Sequence, residues 1–134
     1  MTLLGLDTNI IVRTLVADDP QQMAAAKEFA KGLGREYTAF VTLISLLELD
    51  WALRSRYGFK KKEVVLAIGK LLQTRGLVIE SHALVVAALR QVENTNVDFA
   101  DALIAGRSLE EGCKSIKTFD KKAASRVPGM ELLA

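Results

Sequence analysis

The chain of 134 residues is 50% hydrophobic and 25% charged, and 18 Lys and Arg against 16 Asp and Glu leave a net charge of +2. That length and apolar content suit a single domain over residues 1–134 with a sizeable core, and exclude a disordered or low-complexity chain. The near-neutral balance excludes a uniformly basic nucleic-acid coat, so any nucleic-acid site must be local. The longest apolar region, Phe40 to Leu53, is broken by Glu48 and Asp50 and is too short to span a membrane. The first residues reach Asp7 without the basic stretch of a signal peptide. The expectation is a soluble, cytoplasmic protein without a membrane partner. Cys113 is the single cysteine, which rules out an internal disulfide and a cysteine-built zinc site.

Leu3-Leu4-Gly5-Leu6, ending at Asp7, predicts a short buried strand. A helix is predicted from Thr8 to Val16. Asp19-Pro20 predicts the next, to about Lys31, with Asp at the N-cap and Pro in the first helical position. Tyr37 to Val41 predicts a second strand, and Thr42 is placed to cap a long helix reaching about Tyr57 and stopped by Gly58. From Lys60 to Thr74 the pattern is amphipathic, with Val64, Val65, Ile68, Leu71 and Leu72 inward and Lys61, Lys62 and Lys70 outward. Leu77 to Glu80 predicts a third strand, after which Ser81 caps a helix to Glu93. Asp98 opens a helix from Phe99 to Glu111, ended by Gly112. Cys113 to Phe119 predicts a strand running into Asp120, followed by a short helical turn and a last edge strand, Met130 to Leu133. Strands alternating with helices predict an α/β/α sandwich with a mainly parallel central sheet, which binds ligands at the carboxyl ends of its strands.

The acidic residues fall where that rule applies. Asp7 ends the first strand and Asp120 a late one, Asp98 and Asp101 share a helical face, and Glu48 interrupts the apolar run Leu46-Leu47-Glu48-Leu49. Two like charges about 5 Å apart repel by roughly 3 kcal/mol at an effective dielectric of about 20. A set of four is therefore held either partly protonated or around a cation. Carboxylates without His or Cys favour Mg²⁺ or Mn²⁺, ions that activate water and stabilise charge on a phosphodiester under attack. Each position also has a plainer reading. Asp7 could cap the helix that follows it, Asp98 with Asp101 could form a capping-box-like start, Glu48 could be a partly exposed helix residue, and Asp120 could begin a turn.

Leu6-Asp7-Thr8-Asn9, Glu48, the run Asp98-Phe99-Ala100-Asp101-Ala102-Leu103-Ile104-Ala105, and Thr118-Phe119-Asp120 together resemble a PIN domain. In particular they resemble the VapC-type ribonuclease toxins of toxin–antitoxin pairs, and the resemblance runs from residue 4 to about residue 132. It implies a Mg²⁺- or Mn²⁺-dependent endoribonuclease, a homodimer, and a cognate antitoxin. By position it implies Asp7, Glu48, Asp101 and Asp120 as catalytic and metal-holding acids, with Asp7 and Asp101 the foremost ligands. Asn9 and Thr118 match polar positions that orient those acids, and Asp98 is an additional acid better suited to capping.

Arg13, Lys121 and Lys122 flank these acids and are candidates for RNA phosphate contacts. Lys60-Lys61-Lys62 reads as a solvated helix start, and Arg54 and Arg56 could meet RNA or a partner. Trp51 reads as core or interface, Cys113 as a packed thiol, and His82 as a surface or capping residue. No nucleotide-binding or nucleophile-elbow string is present. The same domain could serve RNA processing or decay; a toxin is favoured because no RNA-binding module is appended. A receiver-like signalling module is disfavoured because Asp7 stands alone at the first strand and no middle strand ends in Asp. An Asp-x-Asp phosphatase is disfavoured by Asn9. A PIN fold used only for binding is disfavoured because all four acidic stations are filled. Apolar residues on the helices around Leu46 and Ile68 exceed what one face can bury, which predicts a dimer contact or an antitoxin groove.

Overall fold

Parallel pairing organises both halves of the chain in the computed structural model, which describes residues 1–134. The chain forms two compact units, Met1–His82 and Ala83–Ala134. The first contains β1 (Thr2–Gly5), α1 (Thr8–Leu15), α2 (Pro20–Lys31), β2 (Tyr37–Val41), α3 (Leu43–Ser55), α4 (Lys61–Leu72) and β3 (Leu77–Ile79). Its sheet has the order β1-β2-β3, with both pairings parallel. Gly5 lies opposite Phe40 and Val41 opposite Ile79, so the three carboxyl ends are level. The ladder continues one step further through Leu6 N–H to Phe40 O (3.1 Å) and Glu80 N–H to Val41 O (2.9 Å).

Burial follows the sequence periods. On central β2, Ala39 and Val41 are fully buried. On α3, Leu46, Leu49 and Leu53 recur at helical spacing and are fully buried; on α4, Ile68 is fully buried and Val64 and Leu71 nearly so. The apolar run at the start behaves differently from expectation. β1 is an edge strand of its sheet and is exposed along its length, so its leucines form an edge rather than a buried strand.

Side-chain caps fix the helix starts. Asp19 accepts from Gln22 N–H (3.0 Å) with Pro20 leading α2, and Thr42 accepts from Ser45 N–H (3.0 Å) at α3. The first N–H of α3, on Leu43, is taken by Glu80 Oε1 (2.9 Å), a carboxylate arriving from the end of β3. At the opposite edge of the sheet, Gly34 (φ +75°) and Gly76 (φ +84°) lie just before β2 and β3. A Cβ on Gly76 would collide with the Gly34 backbone and come within 2.7 Å of the Leu33 carbonyl carbon.

The second unit takes up α5 (His82–Thr95) from its second residue and continues with α6 (Phe99–Glu110), β4 (Ile116–Thr118), α7 (Lys121–Arg126) and β5 (Met130–Leu132). β4 and β5 pair in parallel with Ile116 opposite Met130. Val85 and Ala88 of α5 and Ala102, Leu103 and Ala105 of α6 are buried, and Gly106 leaves the space that a Leu84 methyl fills. Ser81 has φ +51°, which is not the extended conformation of an N-cap, so α5 begins without the serine cap its sequence suggests. β4 is shorter than predicted because residues after α6 are spent on ending that helix. Gly112 takes φ +96°, and Cys113 N–H returns to Ser108 O (3.1 Å). Cys113 is consequently exposed rather than packed. No helix is long and apolar enough to cross a membrane. The α/β class and the parallel strand pairing are as expected.

Candidate functional site

The carboxyl edge of the first sheet carries Asp7, Thr42 and Glu80, one after each strand. Asp7 stands at the N-cap of α1 (φ −77°, ψ 148°), yet its side chain makes no capping hydrogen bond. The plainer capping reading is therefore not realised in its bonding. The next residue, Thr8, is buried, and its hydroxyl donates to Glu48 Oε1 (2.8 Å) across to α3. Glu48 is exposed while Leu46 and Leu49 on either side of it are fully buried. Helical phase thus turns this one carboxylate out of the leucine run, and Thr8, the residue after Asp7, binds one of its oxygens. Sequence reasoning missed Thr8; its signal was a hydroxyl in the Asp-Thr-Asn string at a helix start. It also missed Glu80, whose partner is 37 residues away in sequence.

Asn9 is exposed on α1 and, with Leu4, Leu6, Ile10, Arg13 and Phe29, lines a groove of about 680 Å³. Arg13 is engaged within the unit. Its Nε donates to Gln22 Oε1 (2.6 Å) and its Nη1 to Asp18 Oδ1 (3.2 Å), while the Tyr57 hydroxyl donates to Asp18 Oδ2 (2.9 Å). Hydrogen bonding with Tyr57, ahead of the nearby charge of Asp18 and against desolvation, raises the guanidinium pKa above its ordinary value. Arg13 ties α1 to α2, and a phosphate would compete with those bonds.

α3 contains a second feature that sequence reasoning passed over. Asp50 is buried and receives a two-point contact from Arg54, Nε to Oδ1 (2.9 Å) and Nη2 to Oδ2 (3.0 Å). Arg54 is thereby assigned to an ion pair. Trp51 is not core: it is 56% exposed, with the Arg56 guanidinium over its ring.

In the second unit, Asp98, Asp101 and Asp120 line one cavity of about 30 Å³ together with Asn96 and Lys122. Asp98 is at the N-cap of α6 but makes no capping hydrogen bond, so the capping-box expectation fails in its geometry. Asp101, in the first turn of α6, is half-buried. Asp120 does cap: its Oδ1 accepts from Ala123 N–H (3.0 Å) at the start of α7. Thr118 accepts from the Asp120 backbone N–H through Oγ1 (3.0 Å), so it orients that residue through the main chain rather than through the carboxylate. Lys121 is exposed beside the cavity residues.

Three carboxylates against one ammonium leave the cavity net negative. Its volume suits a water-sized occupant, and its acids offer only oxygen donors, which fits a hard divalent cation better than zinc. No three His, Cys, Asp or Glu side chains are drawn together as a finished metal cage. The second oxygen of Asp120 is the freer one, since its Oδ1 holds the cap.

No curated protein matches the chain. The family model described as PIN domain matches residues 5–129, a span that includes Asp7, Glu48, Asp98, Asp101 and Asp120. With parallel strands, an acid after the first strand and an acidic cavity at the start of α6, the chain belongs to the PIN domain family, whose members are generally metal-dependent nucleases.

Proposed function

We propose that residues 1–134 act as a Mg²⁺- or Mn²⁺-dependent endoribonuclease, the VapC-type toxin of a toxin–antitoxin pair. The observation that carries the reading is the cavity where Asp98, Asp101 and Asp120 meet Lys122, in a chain of a nuclease family. Asp7, Glu48, Asp101 and Asp120 are the acids proposed to hold the cation. When bound, the ion supplies an acidified water and offsets negative charge on the phosphate under attack. Thr8 holds Glu48 in one rotamer, leaving Oε2 for further ligation. Asp98 adds negative charge at the cavity, Asn9 is proposed to orient Asp7, and Lys122 offsets repulsion among the acids. Lys121 and Lys122 supply phosphate contacts that position RNA without reading its sequence.

The proposal extends to a cytoplasmic homodimer inhibited by a cognate antitoxin. Leu66 supports an interface, being 59% exposed on α4. Incubation of the purified protein with RNA tests the activity. Cleavage is expected with Mg²⁺ or Mn²⁺, and is expected to stop with excess EDTA and in Asp101→Asn. Cleavage that survives either change refutes the mechanism. Growth arrest on expression, relieved by the neighbouring reading frame, tests the toxin role.

A further inference from the structure

Trp51 is the single tryptophan of the chain and lies three residues after Glu48, on the same side of α3. Its neighbours Leu49, Asp50 and Leu53 turn into the core, while Trp51 stays largely in solvent. The Arg56 guanidinium is 5.4 Å from the ring centroid, within cation–π range. From Arg56 to Lys62 the chain holds Arg56, Lys60, Lys61 and Lys62, interleaved with Tyr57 and Phe59, and no acid appears before Glu63. Lys60 and Lys62 are exposed. An open indole carrying a cation, followed by a basic track, has the chemistry of a site for single-stranded nucleic acid. There bases stack on aromatic faces and cations follow the backbone.

We propose that Trp51, backed by Arg56, is a platform on which one unpaired base of the RNA stacks, one helical turn from Glu48. The inference rests on the nuclease reading and adds to it a base-stacking subsite at Trp51. A second copy of the chain is the weaker occupant, because it would bring its own Arg56 and lysines against the same charges. Lys60 and Lys62, both exposed, are left to contact the neighbouring phosphates.

The lone tryptophan makes the test direct. Binding of a short single-stranded oligoadenylate is followed by Trp51 fluorescence and by anisotropy of a labelled copy, in excess EDTA so that nothing is cut. Saturable quenching is expected with the oligoadenylate, and none with a duplex or an abasic strand of equal length. Trp51→Ala is expected to weaken binding about tenfold, or about 1.4 kcal/mol, while Trp51→Phe retains most of it. Circular dichroism checks that both variants are folded. Binding without a change in Trp51 emission, or undiminished in Trp51→Ala, overturns the proposal. So does an emission change that follows protein concentration without RNA, which marks self-association. Quenching without cleavage when Mg²⁺ or Mn²⁺ is restored refutes the nuclease reading alone; cleavage with a silent Trp51 refutes the platform alone.

Discussion

Replacing Arg54 by Met leaves the Asp50 carboxylate in place without its two-point partner. The Asp50 side chain is only 6% exposed and that of Arg54 is 35% exposed. Breaking a fully buried pair on one side costs about 3–5 kcal/mol. Water already reaches part of this guanidinium, which lowers the expected cost to about 2–3 kcal/mol. An unfolding entropy of about 2.1 cal/mol/K per residue gives roughly 0.28 kcal/mol/K for a chain of this length, so Tm should fall by about 9 °C. Asp50→Leu combined with Arg54→Met removes both charges and places an aliphatic side chain beside Leu46, Leu49 and Leu53. The double variant should recover to within about 1 kcal/mol of the parent. Thermal unfolding followed by circular dichroism measures all three proteins, with reversibility checked on cooling. A single variant melting within about 2 °C of the parent, or a double variant less stable than Arg54→Met, refutes the reasoning.

Thr8→Val keeps the buried volume but removes the donor to Glu48. Cleavage should drop at least about tenfold, from the loss of a hydrogen bond to a charged group worth about 1.5–3 kcal/mol, and Thr8→Ser should restore it. Asp120→Ala should cost about 1 kcal/mol through the lost α7 cap, whereas Asp120→Asn should keep the cap and lose cleavage; melting curves and RNA assays on both variants separate the two roles. Glu80→Ala should destabilise the protein by about 1–2 kcal/mol by stranding Leu43 N–H. Glu80→Gln, which retains an acceptor, should melt closer to the parent.

What the sequence made legible was local. Asp19-Pro20 and Thr42 announced two helix starts because a cap and its acceptor lie within one turn. The alternation of strands and helices announced parallel pairing. Ser81 and Asp98 misled for the same reason: a cap-forming residue type does not ensure the cap, and Ser81 is held at positive φ while the Asp98 carboxylate is not on the helix N–H groups. Glu80 was beyond reach, since its bond to α3 exists only once β2 and β3 are in register. Asp50 and Arg54 had the spacing of an ion pair, but their burial depends on the phase that places Asp50 with the inward leucines. The acids of the candidate site were visible one by one. The shared cavity of Asp98, Asp101 and Asp120, and the clasp of Thr8 on Glu48, required the fold.

The glycine contact before β2 and β3 gives the first sheet two edges with unequal freedom to change. At Gly76 an added Cβ would run into the Gly34 main chain, so a substitution there must pry the strand entrances apart, while at Gly34 it would meet the Arg75 side chain on a left-handed backbone. At Gly58, in the connection between α3 and α4, an added Cβ would find nothing within 4 Å, and an inserted tag would meet open space. Chain length can therefore vary at the helical connection while the strand entrances stay fixed. Side chains can change more freely where the strands exit, since no such main-chain contact is made there.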